Sequence, residues 1–491
     1  MALEHTLRAV GSGWDQGRDA QGGEAVVRDH PFRRERNTTA MSDQRSESTT
    51  HAASASERAT LDRRHTRIGL IVLPLLSALL LVACGSSSSS STTASSAGSA
   101  GSGSSTTASS STSGSPVKLG FFVNLTGTDT QYPDGLAGAK AAVKGINSRG
   151  GINGQQVQLD YCDVQSSVNV AEECARKFVS DHVAAVVANN TNYGPQQTAV
   201  LQSAHIPEIA DSGITAASQY ASPIEFPINS GFVGTFASGT YYGLKLTHQN
   251  AFGFVGVQLP VVAALESGVE STVKKQGGDW KGFIAMPAST TSFAPYAAAA
   301  SSKGADIVYL AMSGQQSAEF ALASESAGYT FHAFVTAIAY TPATLATLGP
   351  TTTFGKAMLF GGDVPPPSAS AQYPVLKQFQ SDMAAEAQTG DKYAGLQYQS
   401  VAQEEVWYGF HAAYQVMSLI KGPITAASTL QELQTATNIQ LGLQPPWTPN
   451  AAGPKGFGRV NNWNEYMMKL VNGKFALAYP TSFSVESFVT G

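Results

Sequence analysis

From Val117 onward, short apolar runs alternate with stretches whose apolar residues recur every three or four positions. This alternation restricts the fold more than any other feature of the chain. The run 117–123 (Val-Lys-Leu-Gly-Phe-Phe-Val) reads as a strand, and a loop follows over 124–134. Leu136, Ala139, Val143 and Ile146 then fall at helical spacing, with Gly150-Gly151 as a stop. Further strands are expected at 157–162, 184–188 and 206–210, with helices at 168–180 and 195–204. A helix over roughly 233–247 precedes strands at 251–257, 281–286, 305–311, 331–336 and 357–360. Helices at 261–275 and 315–327 lie among them, and longer ones follow at 373–388 and 400–420. Near the end, Asn472-Gly473 between two strand-like runs predicts a tight β-hairpin. Strand–helix–strand units with short connections build parallel sheets covered on both faces. More than eight such strands, in two groups, predict an α/β fold with two doubly wound lobes.

The leading part of the 491-residue chain has a different composition. Residues 1–60 are polar, lack hydrophobic periodicity and are expected to be disordered, with Met41 as an alternative start. In 61–84 the basic stretch Arg63-Arg64-His65-Thr66-Arg67 precedes an apolar run from Ile68 to Ala83, which has the length of a signal-peptide core. It closes on Leu81-Val82-Ala83-Cys84, which resembles a bacterial lipoprotein signal in which the Cys84 thiol takes the lipid. Arg63-Arg64 leaves both the general and the twin-arginine export routes open. Residues 85–116 are almost entirely Ser, Thr, Gly and Ala, a flexible tether. These features predict a folded part held by acyl chains at the extracytoplasmic face of the cell membrane. The remaining cysteines, Cys162 and Cys174, fall on a strand and on the apolar face of the next helix. In an oxidising compartment that favours a disulfide over two buried thiols.

In open parallel sheets ligands bind beyond the carboxyl ends of the strands. The loops there are 124–134, 189–195, 211–215, 258–260, 287–293 and 312–316, rich in neutral hydrogen-bonding residues suited to a small polar solute. A net charge of −5 with 13% charged residues argues against a nucleic-acid partner. The chain carries no dinucleotide or phosphate-binding glycine motif, no zinc spacing among its histidines and no nucleophile elbow, so neither an enzyme nor a cofactor is expected. Glu172-Glu173 and Glu404-Glu405 read as helix surfaces, Asp363 as a loop cap, and Trp407 and Tyr408 as core.

Leu125-Thr126-Gly127, Gln131-Tyr132, Gly138-Ala139, Ile146-Asn147 and Gly150-Gly151-Ile152-Asn153-Gly154 together resemble the opening of the type I periplasmic binding proteins, in their leucine/isoleucine/valine-binding branch. Gly304 to Tyr309 and Ala327-Gly328-Tyr329 extend the likeness over about 117–480. The resemblance implies two Rossmann-like lobes joined by three crossovers near 229–233, 335–340 and 455–461. Lobe 1 is then 117–231 with 338–457, and lobe 2 is 232–337 with 458–491. It further implies a monomeric receptor that closes on its solute and delivers it to a permease with its ATPase. A sensor signalling to a membrane partner is the alternative of the same fold. The carried-over ligand residues are Tyr132, Asn192, Tyr193, Ser212, Gly213 and Thr215 in lobe 1, and Gln258, Thr291 and Gln315 in lobe 2. No Asp or Glu lies between Asp279 and Asp306, where the resemblance implies an acid for an amino acid's ammonium. Weak binding of branched-chain amino acids is therefore expected.

Overall fold

The computed structural model describes residues 114–211, 216–341, 344–345, 358–395 and 400–491. The signal segment, Cys84 and nearly all of the tether lie outside the described residues.

The first run forms β1 (Val117–Val123), whose near-continuous apolar sequence is buried on both faces. Leu119, Phe121 and Val123 join the main core, while Phe122 points into a second cluster with Phe178 and Val186. Helix α1 (Pro133–Ser148) starts with Pro at its first position, where the missing N–H costs nothing. The chain continues through β2 (Val157–Asp163), α2 (Val168–Ser180), β3 (Ala185–Val187), α3 (Gly194–Ser203), β4 (Glu208–Ile209), α4 (Ala217–Tyr220) and β5 (Glu225–Phe226). These five strands make an all-parallel sheet in the order β2-β1-β3-β4-β5. Cys162 and Cys174 are bridged, tying β2 to α2 across a Cα separation of 5.7 Å.

After α5 (Gly231–Tyr241) a second sheet begins. It contains β6 (Ala251–Val257), α6 (Pro260–Lys275), β7 (Asp279–Met286), α7 (Ala294–Ser302), β8 (Ile307–Ala311), α8 (Gly314–Ser326), β9 (His332–Thr336) and β10 (Met358–Gly362). Helix α8 opens with a capping box, Ser313 and Gln316 satisfying each other's backbone N–H. Helices α9 (Val375–Ala387) and α10 (Val401–Met417) then return to pack on α1. They are followed by α11 (Ala426–Thr435), the hairpin β11 (Asn464–Val471) and β12 (Lys474–Leu477), β13 (Phe483–Ser484) and α12 (Glu486–Thr490). The second sheet runs β12-β11-β10-β9-β8-β6-β7, with β13 also on β11, and is parallel except for the antiparallel β10–β11, β11–β12 and β11–β13 pairs. Asn472 and Gly473 both adopt positive φ, as the tight hairpin turn demands.

The sequence reading places 338–457 with the first sheet, and the structure corrects this. Strand β10 pairs in parallel with β9, Met358 opposite Ala333 and Gly361 opposite Thr336. All five of its residues are buried, and its two edges are taken by β9 and β11. The chain therefore crosses after Gly362, not near 335–340, and the last return leads into β11 at Asn464. The three connections run together and are hydrogen-bonded. The Trp447 indole N–H donates to Pro227 O at 3.0 Å, and Asn462 Nδ2 to Ile228 O at 2.8 Å. Gln444 Nε2 donates to Asp363 O. Among the described residues, no helix is long and apolar enough to cross a membrane.

Candidate functional site

The loops at the carboxyl ends of β1 and β3 are fastened to each other. Asn124 N donates to Asn190 O at 3.2 Å, and the Asn124 side chain accepts from Ser166 N at 2.7 Å while donating to Thr130 O at 3.0 Å. Asp163 accepts from Leu125 N at 2.9 Å, Thr126 Oγ1 at 2.7 Å and Gln165 N at 3.0 Å. Burial opposes its charge, but these donors hold its carboxyl below the ordinary value. Within this frame Tyr132 is half-buried immediately before α1, its N–H on Asn124 O at 2.8 Å. Burial, then the charges of Asp134 and Glu405, push its phenol up. The Tyr193 hydroxyl donates to Asp129 Oδ2 at 2.8 Å, and burial with that acid raises it to about 12. Tyr193 thus latches two loops together, while Asn192 beside it is exposed. Ser212, Gly213 and Thr215 lie outside the described residues.

In the second half, Gln258, Thr291 and Gln315 are all exposed. Gln258 N–H donates to Met286 O at 2.8 Å, and Gln316 Nε2 reaches Ala288 O at 3.0 Å, so the loops after β6, β7 and β8 are joined. Gln315 Nε2 donates to Glu319 at 2.9 Å along its own helix.

A group that sequence reasoning placed elsewhere stands where the three connections meet. Glu404 and Glu405 are not on a helix surface: they are 0% and 8% exposed. Asp363 is no solvated loop cap but buried, as is Glu465 on β11. Burial first, and then mutual repulsion, pushes Glu404, Glu405 and Glu465 well above the carboxylate range, and burial likewise raises Asp363. Glu465 accepts from Ser230 Oγ on the first connection. Asp363 Oδ1, both Glu404 oxygens, Glu405 Oε2 and Glu465 Oε2 have no hydrogen-bond partner. A small cavity of about 10 Å³ opens beside Asn229, Asp363, Glu405 and Tyr408. The sequence signal was weak: α10 carries Gln403, Glu404, Glu405, His411 and Gln415 among its apolar residues, yet all of it except Tyr414 and Gln415 is buried.

A second acidic group joins β4 and β5. Glu208 and Glu225 are register partners, and with Asp211 their carboxylate oxygens come within 4.8 Å of one another, a spacing that suits a cation. Burial, then the charge of Asp211, raises Glu208 to about 8. Gln219 Nε2 donates to Asp211 Oδ2 at 3.0 Å, and Arg459 bonds Glu225 O at 2.7 Å, bringing its own positive charge.

Comparison with known proteins agrees with this architecture. The sequence matches the periplasmic binding protein family over residues 116–471. No curated protein matches it. Solved structures share the fold at low identity. A fatty acid ABC transporter substrate-binding protein from Thermomonospora curvata is 15% identical, with a TM-score of 0.61, and covers 77% of this chain and 95% of its own. An extracellular ligand-binding receptor from Verminephrobacter eiseniae is 18% identical, with a TM-score of 0.60, covering 73% and 99%. A leucine-binding protein from Thermotoga maritima is 14% identical, with a TM-score of 0.58, covering 74% and 98%. With a family match over most of its length and two doubly wound sheets linked by three connections, the chain belongs to the periplasmic binding protein family and has its type I fold.

Proposed function

We propose that this protein is an extracytoplasmic solute receptor that captures a small polar solute between its halves and hands it to an ABC permease and its ATPase. The observation that carries this reading is the pairing of a parallel and a mostly parallel sheet, each presenting polar loops at its strand ends, with three hydrogen-bonded connections between them. Such connections are the natural site of hinge closure, which absorbs a backbone change in a few residues. Tyr132, Asn192 and Tyr193 approach the solute from one half, and Gln258, Thr291 and Gln315 from the other. The lipid on Cys84 holds the receptor at the membrane, with residues 85–116 as the tether. It acts as a monomer.

Thermal-shift screening of the full-length chain with amino acids, amides, ureas and small carboxylates tests the reading. A true solute at a hundred times its dissociation constant adds about 2.7 kcal/mol of stability. A protein indifferent to every small polar solute would count against a receptor role.

A further inference from the structure

Resting on that receptor reading, we infer that Asp163 is a positioning residue for solute capture: through the loop 124–130 it sets where the Tyr193 phenol stands at the candidate site. The loop after β1 has little apolar burial of its own to hold it. Leu125 packs partly against the core, while Thr126, Gly127 and Thr128 are exposed. Its place is therefore fixed by hydrogen bonds, and these lead chiefly to the turn after β2. Asp163 Oδ1 accepts from Leu125 N at 2.9 Å, Thr126 N at 3.3 Å and Gln165 N at 3.0 Å, and Oδ2 accepts from Thr126 Oγ1 at 2.7 Å. One carboxylate thus binds the loop and its own turn together. An ionised acceptor strengthens each of these bonds.

The turn that follows this carboxylate is held under backbone strain. Gln165 and Ser166 have φ of 55° and 52°, in the left-handed region that side chains rarely occupy. Such a conformation persists only where its surroundings over-determine it. Here the surroundings are the loop. Ser166 N donates to Asn124 Oδ1 at 2.7 Å, and Ser166 Oγ accepts from Asp129 N at 2.9 Å. Gly127 closes against the same turn, where a Cβ would collide with Ser166 Oγ. Turn and loop therefore stabilise each other, and the Cys162–Cys174 bridge ties down the strand end one residue before Asp163. The far end of the loop meets the candidate site. Asp129, whose N–H is fixed by Ser166, accepts the Tyr193 hydroxyl at 2.8 Å. Asp163 acts on Tyr193 through the loop that aims Asp129. With the loop released, Tyr193 samples several positions and the fraction of chains ready to bind falls.

The test is calorimetric titration of the full-length chain with L-leucine, L-glutamine, acetamide, urea and propionate, repeated on variants with every probe that binds the wild type. Asp163→Ala should weaken binding about tenfold or more, the result of an ordered loop reduced to about a tenth of the population. Asp163→Asn should stay within about threefold of wild type, because its Oδ1 still accepts the N–H groups and its amide donates to Thr126 Oγ1. Asp129→Ala cuts the path, so adding Asp163→Ala to it should cost less than about threefold more. In the ligand-free chain the Asp129 amide, which Asp163 does not accept, should exchange with solvent about tenfold faster in Asp163→Ala. Asp382→Ala, on α9 and bonded to Arg149 and Trp407 rather than to loop or turn, is the stability control and should keep wild-type affinity. Undiminished affinity in Asp163→Ala, unchanged exchange at Asp129, or fully additive losses with Asp129→Ala would each overturn the inference and leave the receptor reading standing. So would an equal loss in Asp382→Ala, or a loss in Asp163→Asn as large as in Asp163→Ala. If none of the probes binds the wild-type chain, the receptor reading falls and takes the inference with it.

Discussion

Asp382 on α9 shows how one residue joins distant parts of the chain. It is 3% exposed, takes Arg149 in a two-pronged pair at 2.7 and 3.0 Å, and accepts the Trp407 indole N–H at 3.0 Å. A surface pair of this kind is worth little, but here one partner and the indole are buried. Asp382→Ala leaves a guanidinium and an indole N–H without their acceptor. A loss of about 3 kcal/mol in urea unfolding is expected, and a loss under ~1 kcal/mol would show that water replaces the carboxylate. Residue identity alone did not reveal such partnerships. Trp407 and Tyr408 were legible as core because aromatic side chains on a long apolar helix seek burial. Glu404 and Glu405, adjacent to them, were read by their charge and assigned to solvent. Side-chain type favours exposure for a glutamate, yet the position in a fully buried helix overrides it.

At the scale of elements, almost every strand and helix was legible, since alternation and helical spacing are local and strong. The short pieces α4, β5, α11, β13 and α12 were not, because two to ten residues carry too little periodicity. The path of the second crossing was also hidden: the run before Gly362 reads as a buried strand whichever sheet takes it. Two contacts between elements yield predictions. The Cys162–Cys174 bridge closes a loop with a sequence separation of 12 and fastens α2 to β2. Replacing both cysteines by serine should cost about 3 kcal/mol, measured by urea unfolding, with no further effect of reductant on the variant. A reductant-sensitive variant would mean another thiol matters. Gly138 in α1 lies against α10, where an added Cβ would stand 2.4 Å from Gln403 O. Alanine gains about 1 kcal/mol of intrinsic helix preference, while forcing two backbones apart costs ~1–3 kcal/mol or more. Gly138→Ala should therefore destabilise by about 1–2 kcal/mol. A stabilised variant would show that α10 shifts freely, contrary to the tight packing of α1 against it.

For the whole molecule, the uncommon feature is how many carboxyls are buried with raised affinity for protons. Burial lifts Asp134 to about 6 and Glu208 to about 8, and it raises Glu225, Asp363, Glu404, Glu405 and Glu465 as well. In each case the folded state binds more protons than the unfolded chain between the unfolded and folded pKa values. Stability is then fullest below the unfolded value and falls as pH rises through the folded one. Asp163 is held low and acts the other way, but only in the acid range. His411, lowered to about 4 by burial, also favours folding as pH rises, but only up to its unfolded value near 6.5. Above pH 6.5 both are silent, and the raised acids alone set the slope. Glu208 by itself should remove on the order of 2 kcal/mol between pH 6.5 and 8. Urea midpoints taken across that window should fall steadily, and a flat or rising profile would mean that a cation already neutralises the acids. Glu225 carries its own share of that decline, since the positive charge of Arg459 only partly offsets its burial beside Glu208 and Asp211.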